Sequence, residues 1–303
     1  MKKVAIVTVN YNTAEDTNNF LKSLKKIDKE NIDLHIFVID NGSKEKFHLE
    51  HKNDNITLTR TEENLGFAGG FNLGMKQALN KNAEYILIVN NDTEVYPDML
   101  TKLLDGFKTD PTIGVTVPKI YFAKGHEYHK DRYKENELGK VIWFAGGSTD
   151  WANIKSIHRG VDEVDHGQYD KMEPIEFATG CCMLFKREVL EKVGLLDERY
   201  FLYYEDADLS ERIKKAGYKI YYLPEAKLIH INAGSSGGPG NTLHDYFLTR
   251  NQMLFGMTYA PLRSKIALLR QSLRLLINGR PNQKKAIWDY YLCRLGKGTY
   301  FNK

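Results

Sequence analysis

Residues 4–9 form an apolar run broken only by Thr8, the pattern of a strand covered on both faces. Residues 34–39, 56–59 and 85–89 read as three further strands, that over 56–59 the shortest. Between these runs the period lengthens. Thr13 and Asp16 are placed to cap a helix whose Phe20, Leu24 and Ile27 share one face. A glycine-rich turn over 64–70 leads into a helix from about Phe71 to Leu79, and Pro97 opens another that runs to about Phe107. Strand alternating with helix predicts an α/β fold, a mostly parallel Rossmann-like sheet flanked by helices. Ligands of such sheets bind beyond the carboxyl ends of the strands. Polar groups collect at those ends here: Asn10-Tyr11-Asn12, Asp40, Asn64, and Asn90-Asn91-Asp92.

Periodicity weakens over 124–173, which reads as loops and short strands above the rim. His126, His129, His158 and His166 have no metal-ligand spacing and read as solvated loop histidines. Gly180 either lets a ligand approach or marks a bulge. Residues 219–223 and 226–229 read as two strands ending near His230. The run 232–240 reads as a loop that closes over ligand or as a linker, and from Thr242 the pattern is helical. Within it, Ile266, Leu269, Leu273 and Leu276 fall on one side and Arg263, Arg270 and Arg274 mostly on another.

The densest chemistry lies just before the segment 209–216, where Glu205, Asp206 and Asp208 follow Tyr203-Tyr204. Asp208 and Glu211 have capping-box spacing, so Asp208 reads as the N-cap, with Glu205 and Asp206 just outside the helix start. An ionised carboxylate held there suits a general base for a hydroxyl.

Charge divides the chain. The 303 residues sum to +4, yet from residue 261 onward ten Lys and Arg face a single acid, Asp289. That segment either meets an anionic membrane surface or packs on the body with its basic face in water. Cys181, Cys182 and Cys293 form no disulfide framework, which suggests a reducing, cytoplasmic setting. No P-loop or RNA-stacking motif is present, so no nucleic-acid partner is expected.

Seven pieces now stand in order: residues 7–12 with Asn10-Tyr11-Asn12; 38–43 with Asp40-Asn41-Gly42-Ser43; 64–74 with Asn64, Gly69 and Asn72; Asn90-Asn91-Asp92; Thr179-Gly180; 194–198; and Glu205-Asp206-Ala207-Asp208 with Arg212. In this order they resemble the bacterial family 2 glycosyltransferases, the branch with many rhamnosyltransferases, over roughly residues 3–255. The resemblance implies a GT-A catalytic domain over 1–240, divided into a nucleotide-sugar half (1–123) and an acceptor half (124–240), with a basic helical extension over 241–303. It implies an inverting, metal-dependent transfer from a nucleotide-sugar, dTDP-rhamnose first and a UDP-sugar second. The acceptor would be a lipid-linked or cell-surface glycan precursor at the inner face of the plasma membrane. Asp40 would bind the base of the nucleotide, with Thr8, Asn10 and Tyr11 around the nucleoside. Asn64, Gly69, Asn72, Gly180 and Arg250 would complete the donor site. Asn90-Asn91-Asp92 takes the place of a D-x-D motif, with Asn90 where a carboxylate often stands. Asp92 and His230 would hold Mn2+ or Mg2+, Asp206 would be the base, and Glu205 its support. A sugar nucleotidyltransferase would need a basic glycine-rich loop where Asn10-Tyr11-Asn12-Thr13 stands. A non-catalytic glycan- or nucleotide-binding module would not need Asp92, Asp206 and His230 together.

Overall fold

The computed structural model describes residues 1–50, 54–231 and 241–301, so the run 232–240 lies outside the described residues. Its frame is an eleven-stranded sheet. Strand β1 (Lys2–Asn10) lies between β2 (Ile32–Asp40) and β4 (Tyr85–Val89), with β3 (Ile56–Arg60) beyond β2, all parallel. Register aligns the rim: Asn10 pairs Asp40, and Asp40 pairs Arg60. Helix α1 (Ala14–Leu24) buries Phe20 and Leu24 against this sheet. Thr13 stands at its N-cap but makes no side-chain cap; its hydroxyl instead accepts from Asn91.

Helix α2 (Gly66–Asn80) begins inside the glycine-rich stretch that reads as a turn in sequence. The glycines there serve packing. A Cβ on Gly74 would come within 2.3 Å of the Val7 side chain, so the helix reaches β1 only without one. Gly69 faces Leu65 and Gly70 faces Asn41 and Val9 in the same way.

Beyond β4 the sheet becomes mixed. After β5 (Thr93–Val95) and α3 (Met99–Gly106) come β6 (Ile113–Phe122) and β7 (Val141–Phe144). A hairpin of β8 (Gly147–Asp150) and β9 (Lys155–His158) stands apart from the sheet. The short β10 (Glu163–Val164) and β11 (Glu173–Ile175) precede β12 (Cys182–Lys186), which runs antiparallel between β4 and β6. Helices α4 (Arg187–Val193) and α5 (Glu205–Lys215) lead into β13 (Lys219–His230). This is one strand where two were expected. It pairs β6 in parallel and slips register between Leu223 and Lys227, around Pro224, which has no N–H for the ladder.

The acids of the middle region are largely structural. Asp165 and Asp170 hold the buried Lys119 of β6, Glu173 pairs Arg159, and Asp162 pairs His129. His126 and His166 are exposed as expected. His158 is not solvated: its ring packs on Trp143, Phe144 and Phe177.

Three helices close the chain: α6 (Thr242–Tyr259), α7 (Leu262–Asn278) and α8 (Pro281–Tyr291). Helix α6 is buried along most of its length, and Arg250 and Asn251 at its centre are fully enclosed. Arg250 therefore does not face a donor pocket. Its guanidinium donates to the carbonyls of Tyr200, Arg199 and Gly296, while Asn251 Nδ2 lies 2.8 Å from those of Tyr200, Leu202 and Tyr203. Arg250→Met strands these carbonyls in the interior and is expected to cost about 3 kcal/mol, measured by urea unfolding.

Candidate active site

The segment between α4 and α5 is bent by three bulky residues in the left-handed region: Phe201 (φ 64°), Tyr203 (φ 70°) and Tyr204 (φ 73°). Such backbone is costly for non-glycine residues and persists only where its surroundings hold it. Here they do. Arg250 and Asn251 take the carbonyls on one side, and the Phe67 and Ala68 amides donate to the Phe201 carbonyl on the other. The bend starts α5 at Glu205, with Tyr204 at the N-cap position. Asp208 is therefore inside the helix rather than its cap. Its carboxylate instead pairs Arg212 and accepts from the Tyr259 hydroxyl, both at 2.7 Å.

Glu205 and Asp206 occupy the first turn, where the N–H groups of the helix are unpaired. Their environments differ. Asp206 accepts from the Gly180 amide at 3.0 Å and from the Ala207 amide at 2.8 Å. Burial raises Asp206 above the ordinary carboxylate range, and these N–H donors oppose the rise. Glu205 is raised well above that range, by burial first and then by the charge of Asp206; its Oε2 has no hydrogen-bond partner among the described residues. Of the pair, Glu205 is therefore the carboxyl held more strongly toward its protonated form, and Asp206 the one whose charge the N–H donors favour.

A stability test follows. In the unfolded chain Glu205 ionises near 4.5, whereas in the fold it stays protonated to higher pH. The folded state binds the extra proton, so this carboxyl erodes stability as pH rises above that value. Glu205→Gln is expected to match the parent Tm near about pH 4 and to exceed it increasingly toward neutrality. A Tm difference that does not change with pH would refute the assignment.

Gly180 sits between one lining residue of each of two cavities. A Cβ there would stand 3.0 Å from the Phe67 ring and 3.5 Å from the Asp206 Cβ. On one side a cavity of about 580 Å3 is lined by Glu205, Asp206, His158 and Tyr203, and by Gln252 of α6 and Gln271 of α7. Burial pulls the His158 imidazole beside it down to about 4, so it is neutral at physiological pH. On the other side a cavity of about 350 Å3 lies at the strand rim, with Tyr11, Asn64, Asn90, Asn91 and Asp92 on its wall. Phe67 and Phe71 of α2 line it too, as do Phe201 and Phe301. The backbone of the 180–181 turn ties the two together, because Cys181 accepts from the Asn90 amide and Gly180 donates to Asp206.

The remaining sequence candidates form the frame of the rim. Asp40 is buried and takes donors from Ser43, the Phe47 amide, Arg60 and Asn10. Burial alone would raise it, but these bonds hold it below the usual range. It does not line the rim cavity; the neighbouring Asn41 does. Asn10 is turned to Asp40, Ser43 and Thr17, and Thr8 is wholly buried. Asn72 binds the backbone of Leu196 and the side chain of Glu198.

Asp92 and His230 are far apart in sequence and adjacent in space. Asp92 immediately precedes β5, and β5 pairs antiparallel with the end of β13, Thr93 opposite His230. Asp92 Oδ1 and His230 Nε2 stand 3.2 Å apart, both buried, and neither has a hydrogen-bond partner among the described residues. Two adjacent ligands of an octahedral cation, each at about 2.1 Å, are separated by about 3 Å. An oxygen and an imidazole nitrogen so placed fit a divalent ion. No group of three or more His, Cys, Asp or Glu with that capacity occurs among the described residues, so further ligands would come from a bound phosphate or water.

The structure thus has a rim cavity at the strand ends and a second chamber lined by Glu205 and Asp206. Residues 5–194 match the family model described as glycosyl transferase family 2, and the chain belongs to that family. It is a glycosyltransferase with a GT-A fold. It is 26% identical over 243 residues to the N-acetylglucosaminyl-diphospho-decaprenol L-rhamnosyltransferase of Mycobacterium tuberculosis, covering 77% of each chain. It is 24% identical over 217 residues to the dTDP-rhamnosyl transferase RfbF of Shigella flexneri, covering 70% of this chain and 66% of that one. Among solved structures it resembles GalNAc-T7 with UDP, GalNAc and Mn2+, at TM-score 0.68 and 19% identity, over 100% of this chain and 56% of that one.

Proposed function

We propose that the enzyme transfers a sugar, with inversion, from a nucleotide-sugar held in the rim cavity to a hydroxyl of an acceptor held in the larger chamber. The observation that carries this reading is the position of Asp206. Its carboxylate lines the larger chamber and is fixed by the Gly180 and Ala207 amides, with Gly180 in turn next to Phe67 of the rim cavity. Asp206 takes the proton of the acceptor hydroxyl as that oxygen bonds to the anomeric carbon. The bond from this carbon to the nucleoside diphosphate breaks on the opposite face, and the diphosphate leaves with the electron pair. Asp92 and His230 would hold Mn2+ or Mg2+, which when bound neutralises the departing diphosphate. Tyr11, Asn64, Asn90 and Asn91 surround the donor.

The name of the Shigella relative supports dTDP-rhamnose as the first donor, ahead of a UDP-sugar, and that of the mycobacterial relative supports a lipid-linked glycan precursor as acceptor. Such an acceptor sets the reaction at the cytoplasmic face of the plasma membrane. No described helix is long and apolar enough to cross a membrane. A thermal-shift series of nucleotide-sugars with and without Mn2+ or Mg2+ tests the donor. A bound donor raises Tm by mass action, and a series with no shift at any combination refutes the reading.

A further inference from the structure

Helix α7 has two faces of opposite character. Leu268 and Ser272 are buried against the protein, and Leu275 packs beside them. Leu262, Ile266, Leu269, Leu273 and Ile277 are exposed, Leu262 and Ile277 to 74% and 72%. Their spacing places all five within roughly 80° of the helix circumference. Arg263, Arg270 and Arg274 run along one border of this stripe and Lys265 along the other, and α7 contains no acid. Trp288 on α8 and Leu292 just after it are exposed as well, and the Tyr291 hydroxyl bonds to Ser272 at 2.7 Å, which joins α8 to the flank of α7.

We propose that this face docks on an anionic bilayer surface. Helix α7 lies in the membrane plane, its five aliphatic side chains in the acyl boundary and its cations at the lipid phosphates. The stripe is long and narrow, bordered by charge of one sign, which matches an in-plane amphipathic helix. Arginine and lysine stems cover apolar surface while their heads reach the phosphates. A second copy of the same face is a poor occupant, because it would set Arg263, Arg270 and Arg274 against like charges. The inference gives a surface to the membrane setting in the proposed function, and rests on that reading only for its biological context.

Flotation of the full chain with vesicles tests it. The protein is expected to float with phosphatidylcholine vesicles containing phosphatidylglycerol and to remain unbound with phosphatidylcholine alone. Leu269→Glu with Leu273→Glu is expected to lower the bound fraction by about tenfold or more. Arg270→Ala with Arg274→Ala should weaken it less and leave the remainder less sensitive to salt than the parent's binding. Both pairs change exposed positions, so an unaltered Tm serves as the folding control. The proposal is overturned by absence of flotation, by equal binding of neutral vesicles, by full binding of the double glutamate variant, or by a dimer in light scattering that this variant dissolves. Donor-induced thermal shifts of the same proteins separate the two readings. Lack of a shift in parent and variant refutes the donor assignment and leaves the flotation result intact.

Discussion

Asp206→Asn is expected to lower kcat for sugar transfer by about 10³-fold, within the range lost when a positioned general base is removed. The amide occupies the volume of the carboxylate, so the cavity keeps its shape. It cannot take a proton, and its NH2 must face one of the two amide donors from Gly180 and Ala207. Nucleotide-sugar binding is expected to survive, because the residues around the rim cavity are untouched. Transfer assays beside a donor thermal shift check both halves. Transfer within a few-fold of the parent would remove Asp206 from the role of base. If Glu205 were the base instead, Glu205→Gln would abolish transfer and Asp206→Asn would leave most of it.

Asp92→Ala is the second large effect. It removes one of the two closely spaced, unpartnered atoms facing each other at 3.2 Å. If Asp92 and His230 hold the ion as proposed, losing one of the two is expected to weaken Mn2+ binding by about 100-fold and donor binding with it, since the ion and diphosphate would share a shell. Titration calorimetry with Mn2+, with and without the nucleoside diphosphate, measures this. A variant with parental Mn2+ affinity would place the ion elsewhere. The imidazole left behind is buried in contact with Trp143, so His230 alone is a weak site.

The first half of the sheet was legible because β1, β2 and β4 are covered on both sides and their apolar runs have no alternative use. The strand ends were legible for a related reason. Polar residues directly after such runs emerge at one rim whenever the strands are parallel. What sequence periodicity could not show was which rim residues face inward. Asp40 reads as a ligand group by position, yet Arg60, in register on β3, claims its carboxylate. Asp208 has the spacing of a cap, and that pattern loses to a bend enforced from α6, some 45 residues further on. Arg250 looked like a cation for phosphate because an arginine fully enclosed by backbone carbonyls leaves no trace in a helical pattern. Phe301 at the rim cavity and the Gln252 and Gln271 side chains of the larger chamber come from segments whose own sequence suggests only amphipathic helix or tail. The partnership of Asp92 and His230 came from the resemblance, since only a strand pairing across more than a hundred residues brings them together.

The clamp on the Tyr200–Tyr204 bend also sets a schedule during synthesis. Domains generally assemble from the N-terminus while the chain is still being extended. The strands around the rim can pair as soon as β4 has emerged, well before α6 exists. The left-handed turns before Glu205 have no such early support, because Asn251 and Arg250 hold them, and Arg250 in turn is anchored by the Gly296 carbonyl. During synthesis the strand ends of the rim can therefore align early, while the Phe201 and Phe301 walls of the rim cavity and the placement of Asp206 wait for the segment around Gly296.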